Sequence, residues 1–114
     1  LFAYLEIAQK QYEDLAYQGY YNVGPDECDC VTTGELVTLF CDLWGDGASW
    51  VNQHDGGPHE ANFLKLDCSK LKKTFGWKPH WHIQDAIEKT IVWSKAYLAG
   101  EDMRQVMDQQ IEAY

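Results

Sequence analysis

The spacing of apolar residues predicts two helices in the first half of the chain. Apolar positions recur at helical intervals from Leu1 onward, which predicts a first helix over residues 1–14. Thr32 stands three residues before Glu35, and this pair is typical of a capping box at the start of a helix. Apolar residues follow the pair at helical spacing as far as Gly45, which is expected to end the second helix.

Three more helices are predicted in the second half of the chain. Asp67 is placed to cap a short helix that runs through Phe75 and stops at Gly76. Residues 83–98 carry the clearest helical pattern, and a glycine follows it. Residues 101–114 begin with two acidic side chains, which suit the positive end of a helix, and continue with an apolar stripe.

Three short segments between the helices favour extended structure. They are residues 20–23, 49–52 and 63–66. Together with the helices they predict an α+β fold with four to five helices and a few short strands. A chain of 114 residues has room for one hydrophobic core, so we predict a single domain over residues 1–114.

The composition is that of a globular protein, and its charge argues against nucleic acid as a partner. Hydrophobic residues make up 46% of the sequence and charged residues 24%, which excludes a disordered segment. The 18 acidic and 9 basic residues give a net charge of −9, whereas nucleic-acid binding needs a concentration of lysine and arginine. No apolar run approaches the roughly 18 residues that span a membrane, so no membrane partner is expected.

The first residues indicate a piece of a longer, cytoplasmic protein. The chain has no initiator methionine and no secretory signal, and a helical pattern is already running at Leu1.

Cys41 and Cys68 lie within apolar patterns, where a reduced thiol is ordinary. We therefore predict that the four cysteines, which also include Cys28 and Cys30, are reduced.

Several short motifs that carry catalysis are missing. The sequence contains no glycine-rich dinucleotide or phosphate loop, no Tyr-x-x-x-Lys pair and no Gly-x-Ser-x-Gly turn. Each of these motifs would be visible in a single sequence. We therefore predict that this chain has no catalytic residue and binds no cofactor.

Two pairs of residues, Cys28-x-Cys30 and His80-x-His82, carry side chains that can bind a metal ion. Paired cysteine ligands are usually separated by two to four residues, whereas one residue separates Cys28 from Cys30. We expect His82 to occupy the N-cap position before Ile83, and His80 to lie in solvent. No metal site is predicted.

The densest polar cluster is the loop over residues 54–62. Its glycines let the backbone approach a ligand, and its histidine, glutamate and asparagine side chains supply hydrogen-bond donors and acceptors. The residue chemistry alone leaves two interpretations open, a binding loop and a solvated connection between strands, and it favours the connection. The five tryptophans have rings that can stack on a base or a sugar, but they are expected mainly in the core.

Four motifs resemble those of one enzyme family. In chain order they are Tyr21-Asn22-Val23-Gly24, Thr33-Gly34-Glu35-Leu36, the run from Asp67-Cys68-Ser69-Lys70 to Phe75-Gly76-Trp77-Lys78-Pro79, and Thr90-Ile91-Val92-Trp93. Over nearly its whole length the chain resembles the extended short-chain dehydrogenases that act on nucleotide sugars, which are epimerases and dehydratases. Residues 20–26, 44–47 and 58–61 are similar to the branch that dehydrates CDP-sugars.

The resemblance implies a parent enzyme with two domains. In this family a Rossmann domain binds NAD and carries the catalytic residues, and a smaller carboxy-terminal domain binds the substrate. Residues 1–114 would be most of that substrate domain without the Rossmann domain, and would be inactive alone. The substrate of the parent would be a CDP-sugar. The apolar face left by the missing domain would favour a homodimer.

The resemblance also points to His59 and Glu60 as substrate-binding residues. Relatives that bind thymidine nucleotides carry Arg-Pro-Gly-His-Asp at this position of the loop. In this chain Gly57 replaces the arginine that pairs with the diphosphate, and Glu60 replaces the histidine. A glutamate can accept a hydrogen bond from an amino group, which thymine lacks.

Two alternatives to this assignment stay open. The chain could come from another epimerase or dehydratase of the same family. It could also be a stand-alone α+β binding or interaction module that shares only the helix-capping pattern.

Overall fold

The computed structural model describes residues 1–53 and 65–114, and these residues form five α-helices and two short 3-10 turns. The helices are α1 (Phe2–Glu13), α2 (Thr33–Trp44), α3 (Ser69–Phe75), α4 (Ile83–Ala99) and α5 (Met103–Glu112). The 3-10 turns cover Leu15–Tyr17 and Glu27–Asp29.

The chain divides into two compact units, which each combine two separate stretches of sequence. The first unit contains described residues 1–26 and 65–79, and therefore α1 and α3. The second unit contains described residues 27–53 and 80–114, and therefore α2, α4 and α5.

The core of the first unit lies around α3. Leu71 of this helix is almost completely buried, with 1% of its surface exposed. The Phe75 ring stacks on the Tyr17 ring at 5.4 Å and meets the Tyr21 ring edge-on at 5.0 Å. Because such pairs bury a large aromatic area, they fix the end of α3 against the residues that follow α1.

The second unit is built around α4, which packs against both α2 and α5. Ile91 and Ala96 of α4 are buried. The Lys95 ammonium of α4 donates to the Trp44 carbonyl at the end of α2 at 2.8 Å, and the Gln110 amide of α5 donates to the Lys89 carbonyl at 2.9 Å. Trp44 lies at the end of α2, where backbone carbonyls lack partners within the helix, so Lys95 supplies a donor that this helix end needs.

The Thr32–Glu35 pair and the glycines lie at the helix ends that they were predicted to mark, whereas the N-cap of α3 is Cys68, one residue after the predicted Asp67. Thr32 and Glu35 form a complete capping box at the start of α2. Gly76 ends α3 with a φ of 66°, and Gly100 ends α4 with a φ of 74°, a conformation that favours glycine. Asp102 caps α5 by accepting hydrogen bonds from two backbone N–H groups.

The predicted α+β class is wrong, because within residues 1–53 and 65–114 the chain forms helices and no strand. Segments 20–23 and 49–52 lie outside the helices and pair with no other segment among the described residues. The Tyr20 carbonyl accepts a hydrogen bond from the Lys70 ammonium instead of from a neighbouring strand. The described structure is therefore all-α. The third predicted segment, 63–66, lies only in part within the described residues.

Helix α1 exposes an apolar face. Leu1, which precedes the helix, and Leu5 and Tyr12 within it recur at helical spacing, and 97%, 71% and 93% of their respective surfaces are exposed. An exposed apolar stripe of this kind is typical of a surface that another chain segment or protein covers.

In the part of the chain that the structure describes, no helix is both long and apolar enough to cross a membrane.

Candidate functional site

The two residues predicted to bind substrate, His59 and Glu60, lie outside the described residues. The structure does describe the segment that follows the predicted loop, from Lys65 to α3. The contacts of this segment therefore show how the chain is held where it leaves the loop.

Gly24 and Asn22 hold this segment from one side. A β-carbon on Gly24 would lie 3.3 Å from Cys68 Sγ and 3.7 Å from Leu66 Cβ, so the backbone approaches the segment more closely than most side chains permit. The Asn22 side-chain amide donates to the Asp67 carbonyl at 3.2 Å. Two residues of the Tyr21-Asn22-Val23-Gly24 motif therefore contact the segment that contains Asp67-Cys68-Ser69-Lys70 and hold it in place.

Asp67 and Lys70 fix the beginning of α3. Asp67 Oδ1 accepts from the Ser69 backbone N–H at 2.9 Å. The Ser69 hydroxyl and backbone N–H hold the pKa of the Asp67 carboxyl below its usual value. The Lys70 ammonium donates to the Tyr20 carbonyl at 3.0 Å and lies 4.6 Å from the centre of the Tyr21 ring.

A further ion pair joins the same two stretches of the first unit. The Lys72 ammonium contacts the Asp26 carboxylate, and both side chains are partly exposed. Like Lys70, Lys72 lies on α3 and reaches back to residues before α2. Lys70 and Lys72 therefore link α3 to residues that precede α2.

The second unit contains a separate cluster of three chemically active side chains, Cys28, Asp29 and His82. Asp29 Oδ2 lies 2.9 Å from His82 Nδ1 and 3.8 Å from Cys28 Sγ. Asp29 Oδ1 accepts from the Ile83 backbone N–H at 2.9 Å. Asp29 is buried, whereas Cys28 and His82 are exposed.

Hydrogen bonds keep Asp29 ionised. The Ile83 backbone N–H and then the His82 ring hold the pKa of the Asp29 carboxyl below its ordinary value, although burial opposes this shift. A buried carboxylate at the amino end of α4 is also stabilised by the positive end of the helix dipole. The cluster thus combines an anionic oxygen with a nitrogen and a sulfur ligand.

The two histidines have different surroundings. His82 occupies the N-cap position of α4, as predicted, and its backbone N–H donates to Asp85 Oδ2 at 2.9 Å. His80 is exposed, as expected, but its ring also lies 4.8 Å from the Tyr114 ring and its Nδ1 lies 3.0 Å from the Tyr114 carbonyl.

Two further cysteines are at least partly buried. Cys41 is half-buried on α2 and Cys68 is buried before α3, and both are free thiols.

The sequence does not single out Asp29, which lies in the 3-10 turn before α2. A signal was nevertheless present. The predicted N-cap of α4 was a histidine, which is a poor capping residue, so the first N–H groups of that helix needed another acceptor. Acidic residues in a nearby loop are natural acceptors, although the sequence does not say which one is adjacent.

The expectation that the five tryptophans lie mainly in the core is wrong, because three are half-buried and two, Trp50 and Trp93, are exposed. Trp44 stacks on the Phe40 ring at 5.6 Å, and Trp50 Nε1 donates to the Thr38 hydroxyl at 3.1 Å. Trp93 stacks on Tyr97 at 5.5 Å, although both rings are exposed.

Comparison with known proteins supports the resemblance found in the motifs. No family model matches the chain. The whole chain is 37% identical, over 115 aligned residues, to part of the CDP-glucose 4,6-dehydratase of Salmonella typhimurium strain LT2. The chain spans about a third of that relative, 32% of its length. The predicted resemblance to a nucleotide-sugar dehydratase is thereby confirmed, and the chain matches one part of that enzyme.

Proposed function

We propose that this chain is the nucleotide-sugar-binding part of a CDP-glucose 4,6-dehydratase. The observation that carries the proposal is the 37% identity to that enzyme, which runs through the whole chain. The motif residues support the proposal, because their contacts and hydrogen bonds hold the segment that follows the predicted binding loop. No observation favours a stand-alone module.

The proposed reaction divides between this chain and the remainder of the enzyme. The remainder would bind NAD, which supplies hydride transfer, and would carry the catalytic residues, because the motifs for both are missing from this sequence. The enzyme would convert CDP-glucose to CDP-4-keto-6-deoxyglucose and water in the cytoplasm. Its product would feed the synthesis of dideoxysugars for surface polysaccharide.

Within residues 1–114, which form the proposed carboxy-terminal substrate domain, we assign nucleotide contacts to His59 and Glu60. The Glu60 carboxylate would accept a hydrogen bond from the cytosine amino group or from a ribose hydroxyl. The anchoring of Leu66, Asp67 and Cys68 by Asn22 and Gly24 would limit where the loop can place these side chains.

The apolar face of α1, formed by Leu1, Leu5 and Tyr12, would pack against the remainder of the enzyme. In the isolated chain the same face would promote homodimers. Analytical ultracentrifugation with a hydrophobic dye tests this part of the proposal. A monomer that binds no dye would contradict it.

A calorimetric titration with CDP, with dTDP as the comparison nucleotide, tests the proposed nucleotide site. Selective binding of CDP is expected, and Glu60→Ala should weaken it about tenfold or more, because a hydrogen bond to a charged group is lost. Asp55→Asn, a change of charge in the same loop, is the matched control and should bind CDP normally. Equal binding of both nucleotides, or normal CDP binding by Glu60→Ala, would contradict the assignment.

A further inference from the structure

We propose that Cys28, Asp29 and His82 form a binding site for a divalent metal ion of the zinc class. The sulfur, oxygen and nitrogen ligand atoms that these residues offer all lie within 4.8 Å of one another. Thiolate, carboxylate and imidazole are the ligands that zinc uses in proteins. The proposal is independent of the dehydratase assignment, because all three residues lie within the second unit and none belongs to the predicted nucleotide loop.

The two distances that Asp29 Oδ2 makes to the other ligand atoms lie on either side of those expected in a tetrahedral site. Zinc binds sulfur at about 2.3 Å and nitrogen or oxygen at about 2.0–2.2 Å, so neighbouring ligand atoms are roughly 3.3–3.7 Å apart. Cys28 Sγ lies 3.8 Å from Asp29 Oδ2, which is near this range. His82 Nδ1 lies 2.9 Å from Asp29 Oδ2 and would have to move away by about half an ångström.

The environment of Asp29 fits the role of a fixed ligand. One carboxylate oxygen accepts from the Ile83 backbone N–H at 2.9 Å, and the other lies next to His82 and Cys28. Hydrogen bonds of this kind orient metal-binding carboxylates and strengthen their sites. Because Cys28 and His82 are exposed, an ion can enter from solvent, and water can take the fourth position.

Charge also favours a divalent ion at this cluster. A Cys28 thiolate and the Asp29 carboxylate together balance two positive charges, while His82 binds as a neutral ring. On binding, the Cys28 thiol releases its proton to solvent, and His82 presents its Nδ1 lone pair while Nε2 carries the ring proton. The positive end of α4 opposes a cation, but its first N–H already donates to Asp29, which offsets this repulsion.

The proposed ligands do not coincide with either of the pairs Cys28-x-Cys30 and His80-x-His82, so neither pair by itself predicted a metal site. The site takes one residue from each pair, Cys28 and His82, and adds Asp29 from between the cysteines. The sulfur ligand favours zinc or cobalt over magnesium or calcium, which prefer oxygen.

Titration of the reduced 114-residue chain with Co²⁺, followed by displacement with Zn²⁺, tests the proposal. We expect one equivalent of Co²⁺ to bind with a sulfur-to-cobalt charge-transfer band. Cys28→Ser should abolish that band and weaken Zn²⁺ binding about tenfold or more. Cys30→Ser, two positions away, is the matched control and should keep both. Absence of the band in the wild type, or its persistence in Cys28→Ser, would overturn the proposal.

Thermal unfolding provides a second readout that does not depend on a spectroscopic band. Zn²⁺ should raise the unfolding midpoint of the wild type and of Cys30→Ser, because an ion that binds only the folded state stabilises it. It should not raise the midpoint of Cys28→Ser or His82→Asn, with circular dichroism confirming that each variant is helical. An equal rise in all four proteins would place the ion elsewhere and overturn the proposal.

Discussion

Asp29 and His82 are 53 positions apart in the sequence, yet the Asp29 carboxylate lies 2.9 Å from Nδ1 of the His82 ring. The second oxygen of the same carboxylate accepts from the Ile83 backbone N–H. A residue of the 3-10 turn before α2 therefore supplies an acceptor for one of the first backbone N–H groups of α4, which have no partner within the helix. This one side chain joins the two stretches of sequence that make up the second unit.

Replacing Asp29 should destabilise the second unit. Asp29→Ala would leave the Ile83 N–H without its acceptor and remove the partner of His82, so we expect a loss of about 1–3 kcal/mol in the free energy of unfolding. Urea denaturation measures this loss. Asp42→Ala, an exposed acid on α2, is the control. Equal stability of the two variants would show that the Asp29 contacts contribute little.

The capping box of α2 gives a second prediction. The Thr32 hydroxyl accepts from the Glu35 backbone N–H at 3.2 Å, so Thr32→Ala should lower the free energy of unfolding by about 1 kcal/mol. Thr33→Ala, at the first position inside the helix, changes the same side chain without removing the cap. If both variants unfold at the same urea concentration, the hydroxyl is not acting as a cap.

The same capping box should make stability depend on pH. The backbone N–H and hydroxyl of Thr32 lower the pKa of the Glu35 carboxyl. Because the folded-state pKa is lowered, this stabilisation is complete above the unfolded-state pKa and is lost as the pH falls through the folded-state value. Glu35→Gln should therefore reduce the loss of stability in acid.

Unfolding free energies measured from neutral pH down to about pH 3 give the comparison, since this interval spans the titration of glutamate. Glu112→Gln, at the exposed end of α5, removes the same charge elsewhere and serves as the control. A wild-type acid profile in Glu35→Gln would contradict the expected role of the carboxylate.

Gly24 and Cys68 should be energetically coupled. A methyl group on Gly24 would lie 3.3 Å from the sulfur of the buried Cys68, so Gly24→Ala should destabilise the first unit by about 1–2 kcal/mol. Removing the sulfur with Cys68→Ala should relieve that contact, and the double variant should lose less stability than the sum of the two single changes. A double-mutant cycle by denaturant unfolding measures the coupling, and strictly additive losses would contradict it.

Local interactions explain why the helices could be predicted from sequence. The partners of the α2 capping box are three residues apart, and the glycines after α3 and α4 act on the last turn of their own helices. Local interactions could not show whether the predicted strands form, because a strand needs a partner strand from elsewhere in the chain. At residue 20 the backbone carbonyl instead accepts from a lysine 50 positions away.

The candidate sites were predictable to different degrees. The motif residues Asn22 and Gly24 were recognised from sequence, but their contacts with Asp67 and Cys68 became visible only in the fold. The cluster around Asp29 depends on long-range proximity, so no local pattern could specify it. His59 and Glu60 lie outside the described residues, and their role stays a prediction.

The most direct test of the proposed function is an activity assay of a chimera. This chain would replace the matching third of the Salmonella typhimurium dehydratase, and product formation would be followed with CDP-glucose and with dTDP-glucose. The chimera should form CDP-4-keto-6-deoxyglucose and leave dTDP-glucose unchanged. A folded chimera that binds NAD but does not convert CDP-glucose would contradict the proposed function.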